Sequence, residues 1–319
     1  MSTPTPGLRG VLSPVLTPFN ADGSPSPARF VKHCRWLLRQ GVGLAVFGTN
    51  SEANSLTVSE KRALLDALLD AGLPSAQMMP GTGACALPDA IELTRHAVTS
   101  GCPGVLMLPP FFYKGVSDEG LFRGFAEVIE AVADTRLRVY LYHIPPVAQV
   151  GISFELIERL LKRYPGVVAG IKDSSGDWHH TAALLKAFQN TGFDVFAGTE
   201  TLLLSTLQNG GAGCITATGN VNAAAIVRLA QTWHETDAAD QQQRLNDTRA
   251  IFQRYPIIAA MKAAIAWQSG DPQWATMRPP LIELDGAQLH ELQQALARIG
   301  FEIEDASTLA ANFQETSPA

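Results

Sequence analysis

Short runs of β-branched and apolar residues alternate along this chain with longer segments of helical period, and few folds accept that rhythm sustained over two hundred residues. The runs at 10–16, 43–47, 75–80, 104–108, 138–142, 167–172, 194–197 and 213–216 read as strands. Amphipathic stretches at 27–40, 59–71, 87–100, 118–133, 154–163, 178–190 and 199–208 read as the helices between them. Thr57-Val58-Ser59-Glu60 carries a capping signal, and Gly41 and Gly101 stand just past helix ends. Strands that alternate with helices at this spacing predict an α/β fold, a (β/α)8 TIM barrel spanning residues 1–219. An open doubly wound sheet is the competitor, disfavoured because no G-x-G-x-x-G opens the first helix.

Beyond the last strand the chain is too long for one closing helix. Periodic stretches at 221–235, 238–253 and 257–267, and another at 289–299 after Arg278-Pro279-Pro280, predict a helical region over 220–319 packed on the barrel, with 314–319 frayed. A net charge of −6 argues against a broad basic surface, so neither nucleic acid nor an anionic membrane is an expected partner. No stretch approaches the ~20 apolar residues of a spanning helix, and residues 1–7 lack a basic segment followed by an apolar one. A cytoplasmic location is expected. Cys34, Cys85, Cys102 and Cys214 are scattered, which suggests buried small apolar residues rather than disulfides or zinc ligands.

In such a barrel the working groups sit at the carboxyl ends of strands. Those ends supply Thr17, the turn Gly48-Thr49-Asn50-Ser51-Glu52, Pro109 to Lys114, Tyr142 and His143, Lys172, Gly198-Thr199-Glu200 and Thr216 to Gly219. Lys172 ends the apolar run 167–171 and precedes the polar turn Asp173-Ser174-Ser175-Gly176-Asp177. An amine with its stem against an apolar wall and its tip at a strand end is suited to attack ketones, although most strand-end lysines are merely solvated. Tyr142, on the neighbouring strand end, adds a phenol that can move protons on reacting oxygens. Alone it would read equally as a packed core aromatic whose hydroxyl finds a backbone partner. His143 should face the other side of the wall by strand alternation, and His179 and His180 are expected to face solvent. The strand-end residues contain no histidine and carboxylate set at metal-ligand spacing, so no metal and no cofactor is expected. Gly198-Thr199-Glu200 and the 211–219 stretch lie where barrels often hold phosphate, but no Lys or Arg accompanies them in sequence.

Taken in order, Pro14-Val15-Leu16-Thr17-Pro18-Phe19, Gly48-Thr49-Asn50-Ser51-Glu52, Pro109-Pro110-Phe111-Phe112-Tyr113, Leu141-Tyr142-His143-Ile144-Pro145 and the Gly170 to Asp177 segment resemble the pyruvate-dependent class I aldolases and lyases typified by N-acetylneuraminate lyase and 4-hydroxy-tetrahydrodipicolinate synthase. The resemblance implies that Lys172 forms an imine with pyruvate and that Tyr142 is the general acid/base. It also implies that Thr49 links Tyr142 to a second phenol, with Thr49 and Asn50 holding the pyruvyl carboxylate and the Ile215 carbonyl facing the imine. That second phenol would reach in from a partner subunit of a homotetramer, a dimer of dimers. Tyr113 is the candidate, with Phe112 in its place if the stretch aligns differently.

Where the synthases carry an arginine for their second substrate, this chain has Pro145-Pro146-Val147-Ala148-Gln149. Asn50 and Ser174 are instead similar to the branch acting on 4-hydroxy-2-oxoglutarate and 2-keto-3-deoxy sugar acids, although Ser51 stands where that turn usually has glycine. The expected partners are thus a 2-oxo acid, pyruvate, and an aldehyde. A synthase or dehydratase using the same imine is the competing enzyme reading, and a non-catalytic pyruvate-binding barrel is the competing reading of another class.

Overall fold

The computed structural model describes residues 8–310, so the expectations for residues 1–7 and for a frayed 314–319 lie outside the described residues. The chain runs β1 (Gly10–Ser13), α1 (Pro27–Arg39), β2 (Gly43–Leu44), α2 (Val58–Asp70), α3 (Leu87–Thr99), β3 (Val105–Met107), α4 (Asp118–Val132), β4 (Val139–His143), α5 (Pro145–Ala148), α6 (Phe154–Arg163), β5 (Val168–Asp173), α7 (Trp178–Ala187), β6 (Asp194–Ala197), α8 (Leu203–Gln208) and β7 (Gly213–Ile215). Then come α9 (Ala223–Thr232), α10 (Ala238–Phe252), α11 (Ile257–Ser269) and α12 (Gly286–Arg298). The seven strands form one parallel sheet in the order β2-β1-β7-β6-β5-β4-β3.

The strand expected at 75–80 is the main departure. Pro74 precedes a 3₁₀ turn at Ser75–Gln77, and Pro80 has no N–H to give a ladder. What remains is extended chain that still bonds on both sides. Met79 and Gly81 donate to the carbonyls of Leu44 and Val46 at 2.8 and 2.7 Å, while the Leu106 amide donates to Pro80 at 2.9 Å and Thr82 donates to Leu106 at 3.0 Å. Hydrogen bonding therefore passes from β2 through 79–82 to β3.

The sheet curls around an interior of its own. Leu12, Ala45, Met79, Leu106, Tyr140, Tyr142, Phe196, Ala212 and Ile215 form one buried cluster, separate from the larger layer between sheet and helices. Strand alternation makes this division: Tyr140 and Tyr142 point in, Leu141 points out. Glycines on both sides admit the Tyr140 ring, Gly104 just before β3 and Gly170 within β5, since a Cβ on either would come within 2.7 Å of its carbons.

Two helical expectations shift, and one helix is unforeseen. Asp285 caps α12 by accepting from the Gln288 amide at 2.8 Å, so that helix begins at Gly286 rather than 289. Thr199 accepts from Thr201 N and starts a 3₁₀ turn, which leaves α8 only Leu203–Gln208. The Pro145-Pro146 pair opens the short helix α5, which the spacing of apolar residues does not signal. Of the cysteines, Cys34, Cys102 and Cys214 are buried as expected, whereas Cys85 is exposed.

Asn220 fastens the end of β7 to β1 and α1. Its Oδ1 accepts from Leu16 N and from His33 Nε2, both at 2.9 Å, and its Nδ2 donates to the carbonyls of Pro14 (3.1 Å) and Ala217 (2.8 Å). Burial pushes the His33 imidazole down to about 4, and the bond to Asn220 only partly opposes that. The unfolded ring takes its proton near 6.5 and the folded ring resists until about 4, so stability should fall as pH drops through that window, by about 3 kcal/mol once both forms are charged. Urea melts at pH 7.5 and pH 4 are expected to differ less for His33→Gln than for the parent protein, and equal pH slopes would contradict this account.

Candidate active site

β4 and β5 are paired in register with Tyr142 opposite Lys172, and both side chains point into the interior. Lys172 is 2% exposed and Tyr142 4%. The Lys172 Nζ stands 4.3 Å from the centroid of the Tyr142 ring. From across the interior, Thr49 Oγ1 is hydrogen-bonded to the Tyr142 hydroxyl at 3.1 Å. Thr49 reaches that point because Gly48 leads from β2 into a 3₁₀ turn, Thr49–Ser51, pinned by Gly48 N donating to Ser51 Oγ (3.1 Å) and Thr17 Oγ1 donating to the Ser51 carbonyl (2.7 Å). Among the described residues the amide N–H groups of Thr49 and Asn50 have no hydrogen-bond acceptor. Two free N–H groups at a turn suit a carboxylate. A narrow cavity of about 20 Å³ opens here, lined by Thr49, Asn54, Gly81, Leu108 and Tyr142 among others. Roomier hollows, such as one of about 610 Å³ beside Trp267 and Phe301, lie among the outer helices.

Ile215 is fully buried in the same interior cluster as Tyr142. Ser174 is half-buried just beyond Lys172, its amide donating to the His143 carbonyl at 2.7 Å. The Ser174 side chain lies so close to Gly198 that a Cβ there would fall 2.0 Å from its Oγ. Tyr113 does not join the group. It is 73% exposed, its ring set edge-on against Phe112, itself 72% exposed, with 5.3 Å between centroids. No hydrogen bond links it to Thr49 or Tyr142 among the described residues.

Behind the strand ends the structure assembles groups that sequence reasoning missed. His180 does not face solvent as expected: its Nδ1 lies 3.1 Å from Asp173 Oδ2, and its ring stacks on His143 with centroids 4.6 Å apart. His143, Asp173 and His180 thus each present a ligand atom within 4.8 Å of one another, contrary to the expectation that no such set would form. Each of the three already has a hydrogen-bond partner. His143 Nδ1 accepts from Ile152 N at 3.0 Å, which puts a neutral ring's proton on Nε2, and Asp173 also accepts from Thr181 Oγ1 (2.6 Å) and from Ser175. Burial would raise the Asp173 carboxyl, but the bonds from His180, Thr181 and Ser175 outweigh it and hold the group below its ordinary value. The same bond raises His180, whereas burial lowers His143. The signal was the Asp173-x-Ser175 turn, in which the Ser175 amide returns to Asp173 Oδ1 at 3.0 Å.

An arginine also accompanies the 198–219 region after all, supplied by α10. Arg249 Nη1 donates to Glu200 at 3.0 Å and to Thr216 Oγ1 at 3.3 Å, and Glu200 further accepts from the Thr216 and Thr218 hydroxyls. A buried carboxylate already neutralises that guanidinium, so the cluster is not an anion site.

The profile of the Dihydrodipicolinate synthetase family matches residues 7–299, and the chain belongs to that family, which is of the lyase and aldolase class. A protein of Chloroflexus aurantiacus described as an uncharacterized DapA-like lyase is 33% identical over 295 residues, covering 91% of this chain and 97% of its own. Dihydrodipicolinate synthase of Agrobacterium tumefaciens superposes with a TM-score of 0.83 at 28% identity, covering 91% of this chain and 99% of that one. YagE of E. coli K12, a prophage protein of the dihydrodipicolinic acid synthase family in complex with pyruvate, superposes with a TM-score of 0.79 at 28% identity, over 92% and 99% of the two chains. Among the described residues no helix is long and apolar enough to cross a membrane.

Proposed function

We propose that this protein is a lysine Schiff-base aldolase or lyase that makes or breaks a carbon–carbon bond between pyruvate and an aldehyde, acting on a 4-hydroxy-2-oxo acid or a 2-keto-3-deoxy sugar acid. The observation that carries the reading is the buried Lys172 amine 4.3 Å from the ring of Tyr142, whose hydroxyl is tied to Thr49. The amine of Lys172 adds to C2 of the 2-oxo acid, and loss of water gives an iminium that draws electrons from C3. Tyr142 takes the 4-hydroxyl proton as C3–C4 breaks and the aldehyde departs. The enamine left on Lys172 is protonated at C3, and water releases pyruvate and the free lysine. The open amides of Thr49 and Asn50 hold the carboxylate, the Ile215 carbonyl faces the imine, and Ser174 borders the aldehyde end. YagE's pyruvate complex supports a 2-oxo acid in this role.

In this reading residues 1–219 are a closed (β/α)8 barrel, completed by the 79–82 segment, and 220–319 are a helical region packed on it. The assembly is a homotetramer in which Tyr113 of a neighbouring copy completes the pair of phenols, consistent with its exposure here. The likeness to the Agrobacterium synthase favours a second reading, condensation or dehydration from the same imine. Against a synthase, residues 145–149 form α5 and its C-cap without an arginine. Pyruvate with borohydride is expected to add one reduced pyruvyl group to the intact protein, at Lys172, and an unlabelled protein would remove the proposal. Following aldehyde release against dehydration from one 2-keto-3-deoxy sugar acid then separates the two readings.

A further inference from the structure

We propose that Glu52, Lys262 and Arg278 are positioning residues through which the chain after β7, by way of α11 and the loop before α12, sets the 48–52 turn for its carboxylate, an inference that rests on the reading of that turn given above. Glu52 follows the turn in the left-handed conformation, φ 56°, and Phe47 precedes it at φ 62°. Two non-glycine residues so placed on either side of one short turn persist only where the surroundings over-determine them.

The surroundings come from far along the chain. The Glu52 side chain and that of Lys262, on α11, are both fully buried and form an ion pair, and Lys262 Nζ also donates to the Thr276 carbonyl at 3.1 Å. Lys262 stands 4.5 Å from the centre of the buried Phe19 ring, and the Arg278 guanidinium stands 4.8 Å from the same ring. Arg278 donates to the Ser55 carbonyl, to Gly23 O (2.7 Å) and to both oxygens of Glu60 (2.8 and 3.0 Å). Phe19 thus lies against two cations, one bonded to Glu52 at the end of the turn and the other to Ser55 just beyond it.

Stability alone does not explain this arrangement. A buried ion pair is seldom better than an apolar pair of the same volume, and Glu52 Oε2 is buried with no partner among the described residues. What the pair does supply is direction: it fixes where Glu52 sits, and hence where the free amides of Thr49 and Asn50 point.

The test compares Glu52→Gln, which keeps the side chain's shape, and the charge-balanced pair Glu52→Gln with Lys262→Met. Two measurements are made on the full-length protein: amide hydrogen exchange across residues 47–56, and the pyruvate concentration that half-saturates borohydride labelling. The double variant is expected to melt close to the parent and Glu52→Gln, which leaves the buried Lys262 charge unpaired, to melt lower; both are expected to exchange the hydrogen-bonded amides of Ser51 and Glu52 at least about tenfold faster, and to need about tenfold more pyruvate while still labelling Lys172 at saturation. Unchanged exchange in a folded variant overturns the clamp, and so does unchanged half-saturation. If the parent protein is never labelled, the functional reading fails, while the exchange arm still decides whether the clamp holds the turn. Should Glu52→Gln fail to fold, the charge-balanced double variant by itself decides between these outcomes.

Discussion

Replacing Lys172 is expected to lower kcat/KM by about 10⁴-fold or more and to abolish borohydride labelling, because among the described residues no other amine belongs to that interior to form the iminium that accepts the C3–C4 electrons. Lys172→Met is the more telling substitution, and Lys172→Ala its companion. The lysine stem is buried among apolar neighbours, so truncation to alanine would leave a cavity and cost about 2–4 kcal/mol of stability on top of the chemistry, whereas methionine fills most of that volume. A methionine variant that melts normally yet neither labels nor turns over isolates the amine as the cause. The measurement is intact mass after pyruvate and borohydride, followed by peptide mapping. A residual adduct on another lysine, or activity within tenfold of the parent, would show that the nucleophile had been placed wrongly.

How much of this could be read from the sequence depends on the range over which each feature is encoded. Tyr142 and Lys172 were legible because each lies at the carboxyl end of a strand, one residue before its last, where alternation fixes which side faces in, and because parallel strands adjacent in sequence lie side by side. The opposite orientation of His143 followed from the same rule. The strand at 75–80 misled because its apolar run conceals two prolines' effects: Pro74 leads into a turn and Pro80 cannot donate. His180 escaped because two histidines opening a helix look solvated, and only the fold turns the second one back seven residues onto Asp173.

Glu52 with Lys262 had no local trace at all: 210 positions separate them, and a lysine in the stretch 257–267 reads as a surface residue until α11 is seen packed behind the turn. Arg249, Asn220 and His33 belong with it. Their side chains serve contacts between the ends of the sheet strands and the helices around them, and no spacing in the sequence encodes those contacts. Tyr113 marks the other limit. Its motif was visible, but a side chain that leaves the chain's own site, 73% exposed, can be assigned a role only through an assembly of several copies.

Tyr142→Phe should separate the steps that Lys172 variants remove together. The substitution deletes one oxygen and leaves the ring in the buried cluster it shares with Leu106 and Phe196, beside the Lys172 amine, so folding should lose no more than the bond to Thr49, about 1 kcal/mol. Imine formation needs chiefly the amine and a bound 2-oxo acid, and labelling by pyruvate and borohydride is expected to reach the parent's extent. Cleavage needs a base for the 4-hydroxyl proton, and aldehyde release should slow by about 10²–10⁴-fold. Thr49→Val, which keeps the phenol but removes its hydrogen-bond partner, should fall between the two. Single-turnover measurements that follow adduct and aldehyde on the same sample distinguish the cases: parent-like aldehyde release would deny the phenol its role in cleavage. Equal slowing of adduct and aldehyde would move its proton transfer back to the carbinolamine, where the iminium is formed rather than used.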